Sequence, residues 1–234
     1  MIMQYAWFIW TLCFLLAWIL LYLFNDKYRK EMLWVSFGTL PLGLTEPLFV
    51  PNYWNPPTLF HLAQRTGFDI ESLIFCFSIG GVGSVIYQII FKIQEVTISD
   101  IDKHHKHHRW HLLALATPII VFFLLALFAH LNHIYCGIIA MFLGALATLY
   151  CRPDLKYKIW IGGILFLIFY AAFFLSLTWV FPDYVAQVWN LKALSGIMIL
   201  GIPIEEFLFA FSFGMLWSSI YEHVLWLKLV KSIN

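Results

Sequence analysis

The chain has 234 residues, of which 62% are hydrophobic and 12% charged, and its net charge is +1. So apolar a balance excludes an ordinary soluble domain, and so small a net charge offers no basic surface for nucleic acid. This is the composition of a membrane protein.

A helix needs about 20 apolar residues to cross a bilayer, and seven stretches qualify: residues 5–24, 33–50, 70–91, 112–131, 133–151, 159–181 and 195–225. Long apolar runs without barrel-like alternation predict an all-α, polytopic fold of seven transmembrane helices. The first stretch has no basic residue before it and is followed by Asn25, Asp26, Lys27, Arg29 and Lys30, the pattern of a retained helix rather than a cleaved signal. The second carries Glu46 near its end. Tyr53, Trp54 and Asn55 follow it, and Trp189 and Asn190 occupy the matching loop later in the chain. These aromatics are expected mainly as an interfacial belt, with closure of a cavity as the functional alternative.

The third stretch opens with Glu71, and after it comes DKHHKHHRWH, residues 102–111, with five of the nine histidines. On a helix His104, His108 and His111 would share a face. The expectation is a basic membrane-surface segment, with metal binding as the weaker reading. Four cysteines, Cys13, Cys76, Cys136 and Cys151, form no CxxC pair and are expected to serve packing. The seventh stretch contains GIPIEEFLFAFSFG, with Pro203 before the adjacent Glu205 and Glu206. Pro203 is expected to loosen that helix. Asp26, Glu31, Glu222 and His223, near the ends of the helices, are expected to be solvated.

Lys and Arg sort by side. Of 14, all but Arg65 and Lys192 fall at one set of helix ends, which predicts an integral protein of the cell membrane with its N-terminus outside and its C-terminus in the cytoplasm.

The chain also resembles itself. Residues 70–87, IESLIFCFSIGGVGSVIY, and 204–221, IEEFLFAFSFGMLWSSIY, agree at nine of 18 positions without a gap. Glu71 falls on Glu205, Phe75 on Phe209, Ser78 on Ser212, Gly80 on Gly214 and Tyr87 on Tyr221. This pairs the third helix with the seventh, so helices 1–3 would correspond to 5–7. The expected layout is a first repeat over residues 1–91, a His-rich loop and connector helix over 92–132, and a second repeat over 133–234. A shift of four helices makes the repeat parallel, with any shared cavity between the halves.

Glu71, Phe75 and Ser78 lie at i, i+4 and i+7, as do Glu205, Phe209 and Ser212, so each half points a carboxylate, a ring and a hydroxyl one way. Glu46, Glu71, Glu205 and Glu206 fall at about one depth with no Lys or Arg in the helices beside them. Four such groups cannot all be comfortably ionised, and a protonated carboxyl is what a general acid needs. The bland alternative is hydrogen bonding between helices.

GIPIEEFLFAFSF, followed by Tyr221 and Glu222, resembles the PxEE-type signature of the integral-membrane lycopene cyclase family, found as two small subunits in some bacteria and as fused domains in archaea and fungi. The layout of two three-helix copies is similar too. The resemblance implies cyclisation of the linear ends of a carotene, with Pro203, Glu205 and Glu206 as the matching residues. Its first copy departs from the motif: FDIESL has Ser72 where the second copy has Glu206. A carboxylic acid protonates a terminal alkene, an internal double bond captures the cation, and a base removes a proton, with aromatic faces stabilising the charge. Such chemistry needs no cofactor or metal.

The reading is therefore a cofactor-independent cyclase or isomerase of a carotenoid or related isoprenoid. Glu205 and Glu206 would be acid and base, tuned by Glu71 and Glu46. Phe75, Phe209, Ser78, Ser212, Tyr53, Trp54 and Trp189 are the candidate contacts to a hydrophobic polyisoprenoid substrate, with membrane lipid as the surroundings. The competing readings are a carotenoid- or lipid-binding membrane protein and a small proton-coupled transporter.

Overall fold

The computed structural model describes residues 2–99, 103 and 106–231. The fold is mostly helical. Among the described residues, five helices are long and apolar enough to cross a membrane: Met3–Phe24, Ile70–Phe91, His108–Phe128, His133–Cys151 and Pro153–Val180. Their α-helical parts are α1 (Ala6–Phe24), α4 (Ile70–Phe91), α5 (His111–Phe128), α6 (His133–Cys151) and α7 (Lys156–Val180). Asp69 caps α4 by accepting from the Ser72 N–H at 2.5 Å, and Asn132 caps α6 through the Ile134 N–H at 3.2 Å. Burial pushes the Asp69 carboxyl above its ordinary range, against the pull of that N–H.

The other two expected spans take a different form. Between α1 and α4, α2 (Arg29–Thr39) passes directly into a 3₁₀ segment, Leu40–Leu48, which contains Pro41 and Pro47. Proline removes a helical N–H and crowds the preceding turn, so the α-helix cannot continue unchanged. A short α3 (Leu62–Thr66) lies in the loop that follows. After α7 and a short α8 (Tyr184–Val188), residues 195–203 are not helical as expected. They hold a two-stranded hairpin, β2 (Met198–Ile199) with β3 (Ile202–Pro203), which turns through Gly201 at φ +80°. Only then does α9 (Ile204–Trp217) begin, followed by α10 (Ile220–Leu225). Pro203 is the N-cap residue of α9, so it starts a helix instead of loosening one.

A second departure from the all-helical expectation is an antiparallel ribbon of β1 (Ile93–Thr97) and β4 (Leu227–Lys231). It ties the end of α4 to the end of the described chain.

α4 packs against α1 and α2, and α9 packs against α6 and α7. The two sets meet where α4 lies on α7 and α9, while α5 packs mainly on α6. Glycine permits the closest approaches. A Cβ on Gly80 would stand 2.0 Å from Thr39 Oγ1, one on Gly81 2.2 Å from Trp18 Nε1, and one on Gly214 2.6 Å from Phe166 Cβ. Small residues at such crossings let helix backbones meet where lipid supplies no hydrophobic drive.

At the Lys/Arg-rich end, Glu31, Glu222 and His223 are buried rather than solvated, whereas Asp26 is exposed and pairs with Arg29. For the two carboxylates the cause is Lys158, which lies inside the first turn of α7 and is itself buried. Its ammonium pairs with Glu222 and with Glu31 at 3.2 Å. The Gln88 amide donates to Glu31 at 2.6 Å, to Glu95 at 2.7 Å and to Glu222 at 3.1 Å. Five elements, α2, α4, β1, α7 and α10, are thus fastened through one cation and one amide. Removing one partner of a buried pair leaves an uncompensated charge, at about 3–5 kcal/mol. Lys158→Met should therefore lower the unfolding temperature of the detergent-solubilised chain sharply, and Lys158→Met/Glu222→Gln should recover part of the loss.

Candidate functional site

At the opposite end, Glu206 lies in the first turn of α9 and is buried. Three donors converge on it. The Tyr53 hydroxyl donates to Oε1, Trp189 Nε1 donates to the same oxygen at 2.8 Å, and the Tyr170 hydroxyl donates to Oε2 at 2.6 Å. These donors come from the loop after α2, the loop after α8 and the middle of α7, so the site exists only when distant segments are assembled. Both oxygens are engaged, and no cation among the described residues takes part.

Tyr53, Trp54 and Trp189 are not an interfacial belt: they are 5%, 9% and 6% exposed. The two loops pair as a short antiparallel bridge between Trp54 and Trp189, in which the Asn55 N–H donates to the Val188 carbonyl at 2.8 Å and the Asn190 N–H to the Tyr53 carbonyl at 2.9 Å. Pairing the backbones in this way satisfies polar groups that water would otherwise have to reach. The Trp54 and Trp189 rings are 5.3 Å apart, and Phe174 meets Trp189 edge-on at 5.3 Å.

Phe75 and Phe209 do come together. Both rings contact Tyr170, at 6.4 and 5.9 Å, and Phe166 lies 6.2 Å from it. Ser78 and Ser212, by contrast, turn their hydroxyls back to the Ile74 and Leu208 carbonyls of their own helices, at 2.7 and 2.8 Å. Their role in this structure is local, since the hydroxyl of a buried helical Ser finds its nearest acceptor one turn back.

The remaining carboxylates occupy separate places. Glu205 diverges from Glu206, as adjacent helical positions must, and its Oε1 accepts from the Tyr135 hydroxyl at 2.6 Å and the Ser195 N–H at 2.8 Å. Glu71 Oε1 accepts from the Leu59 N–H at 2.7 Å. Glu46 Oε2 accepts from the Ser72 hydroxyl at 3.1 Å. Among the described residues, each of the three keeps one buried oxygen without a partner: Oε2 of Glu205, Oε2 of Glu71 and Oε1 of Glu46. The four carboxylates therefore form two groups, Glu46 with Glu71 and Glu205 with Glu206. Trp54, which also comes near Glu46, connects the groups through its contact with Trp189.

Two cavities, of about 610 and 370 Å³, lie elsewhere. The first borders His108, His111 and Trp226; the second is an apolar groove between α1 and α4 that reaches Phe169. Neither is lined by a carboxylate.

Of the expected histidine face, His104 lies outside the described residues. His108 sits in a 3₁₀ turn, Lys106–Trp110, and His111 begins α5. Both imidazoles place Nδ1 3.7 Å from the sulfur of Cys151, which is buried.

Tyr135, Tyr170 and Ser195 are site residues that the sequence reading passed over. Tyr170 carried a usable signal: a phenol within IWIGGILFLIFYAAFF has no polar neighbour in sequence, so when buried it must find an acceptor on another element.

Residues 132–224 match the family model described as Lycopene cyclase. The match contains Tyr135, Tyr170, Trp189, Glu205 and Glu206 and begins after Tyr53, Glu46 and Glu71. No curated protein and no solved structure matches the chain.

Proposed function

From the match of residues 132–224 to the lycopene cyclase family model, we propose a membrane enzyme that cyclises or isomerises a carotenoid or related polyisoprenoid by proton transfer, with no cofactor in the reaction. The observation that carries this reading is the buried Glu206 carboxylate, held by Tyr53, Tyr170 and Trp189 among aromatic rings. A carbocation passing through such a site meets ring faces that favour positive charge and a fixed base that can remove a proton.

The hydrogen bonds suggest a division of labour. Glu206 accepts at both oxygens and suits the base. Glu205 keeps Oε2 unpartnered, so a proton on that oxygen is not tied up by the protein, and it suits the acid. The proton leaves Glu205 for the terminal alkene, an internal double bond closes the ring, and Glu206 takes a proton from the adjacent carbon. Atoms and charge balance without an oxidant. Glu71 and Glu46 act as acceptors for loop and helix groups beside this centre. Phe75 and Phe209 line the path to it.

We also propose seven crossings in two parallel repeats, residues 1–91 and 133–234, joined over 92–132, with the basic end in the cytoplasm. Paired contacts support the repeat. Glu71 and Glu205 each accept a loop N–H, and Gly80 and Gly214 each receive a neighbouring helix. Glu31 and Lys158, each the third residue of its helix, bond each other, as do the aligned Gln88 and Glu222. The Trp54–Trp189 bridge joins the two loops.

A second reading, binding of a polyene without turnover, is favoured by the apolar groove between α1 and α4, which holds no carboxylate.

Co-expression with a lycopene-producing pathway tests the enzyme, with chromatography of the pigments. Cyclic product is expected, and Glu206→Gln should reduce it by roughly 10²–10⁴-fold. Lycopene recovered unchanged with the purified chain would favour the second reading. Tyr170→Phe should cut turnover while the chain still accumulates in the membrane, because it removes one donor to Glu206 and leaves the ring.

A further inference from the structure

Far from the carboxylates, three groups that bind transition metals converge where α5 begins, α6 ends and α10 passes. One ligand atom from each of His111, Cys151 and His223 lies within 4.8 Å of the other two. The Cys151 sulfur is 3.7 Å from His111 Nδ1. In a tetrahedral zinc site with Zn–S of about 2.3 Å and Zn–N of about 2.0–2.1 Å, sulfur and nitrogen stand about 3.5–3.6 Å apart. The observed spacing is already close to that edge.

His223 supplies an independent observation. It is 0% exposed, its Nδ1 lies 3.1 Å from Thr148 Oγ1, and its Nε2 has no hydrogen-bond partner among the described residues. If Nδ1 donates its proton to Thr148, Nε2 carries the lone pair. Metal-bound histidines are commonly held in this way, one nitrogen donating to a fixed acceptor while the other is free to ligate. A buried imidazole nitrogen without a partner is otherwise costly. The stacked Trp226 ring, 4.0 Å from His111, fixes the second imidazole.

We infer that His111, Cys151 and His223 form a binding site for Zn²⁺, with His108 placed to complete it. His108 Nδ1 is also 3.7 Å from the sulfur. Mixed thiolate and imidazole ligands select zinc over the hard cations that prefer oxygen. Binding replaces the Cys151 thiol proton with the metal, so one proton leaves and the net gain of charge is +1. The nearby Arg152 guanidinium is paired with Asp154 and bonds the Glu222 and Leu227 carbonyls. Zinc here would clasp the His-rich segment and α5 to the second half of the chain. It has no part in the proposed cyclisation, since no ligand lies among the groups around Glu206.

The test uses the purified full chain in detergent, stripped with a chelator and titrated with Co²⁺ as a spectroscopic probe. One Co²⁺ per chain is expected, with the intense visible bands of four-coordinate cobalt and a sulfur-to-metal charge-transfer band that Zn²⁺ abolishes. Cys151→Ser should remove the charge-transfer band. Thr148→Val, which leaves every ligand in place, should weaken binding roughly 10–100-fold. X-ray absorption on the zinc-loaded unmodified chain requires no variant to fold: one sulfur among nitrogen neighbours supports the site. A shell of nitrogen and oxygen alone, a charge-transfer band that survives Cys151→Ser, or six-coordinate cobalt spectra would overturn it.

Discussion

A buried carboxylate has no water to satisfy it, so the protein must bring donors to it, and each donor fixes a segment of chain. Glu206 shows this constraint most fully. Its three donors belong to a loop, a long helix and another loop, and Tyr53 and Trp189 lie on loops whose backbones pair with each other. Holding Glu206 therefore also holds the paired aromatic loops at this end. A donor set made of phenols and an indole, with no ammonium or guanidinium, keeps a full positive charge away from a centre proposed to handle a carbocation.

The same constraint is met differently at the Lys/Arg-rich end. There Glu31, Glu95 and Glu222 surround a cation and an amide, Lys158 and Gln88, and the β1–β4 ribbon lies alongside. A buried cation among carboxylates leaves no room for proton chemistry of the proposed kind, but it fastens α2, α4, α7 and α10 at one point. One end of the molecule is thus organised by charge and the other by neutral donors. Between them, glycines at the crossings bring the helices close enough for both ends to form.

The proposed acid and base are neighbours in sequence yet serve different surroundings. Glu206 faces the rings of Tyr170 and Trp189, while Glu205 faces Tyr135 and the Ser195 backbone. The 100° step of the helix is what separates them. A pair at i and i+4 would share one helix face and one environment.

The helical class, the carboxylates and the motif were legible in the sequence because each is a local property. Apolar runs set where helices lie, and the ungapped likeness of 70–87 and 204–221 marks Glu71, Phe75, Glu205 and Phe209 as candidates. Partnership was not legible. Lys158 and Cys151 look like an interfacial lysine and a packing cysteine, and Glu222 and His223 like residues of a polar helix end. Only the folded chain buries Lys158 between Glu31 and Glu222 and sets Cys151 beside His111. Likewise Pro203 could bend a helix or begin one, and the hairpin before it decided the matter. A sequence records what each side chain can donate, accept or exclude. Which group answers it depends on segments a hundred or more residues apart, such as Tyr53 and Glu206, and tertiary packing alone brings them within hydrogen-bond reach.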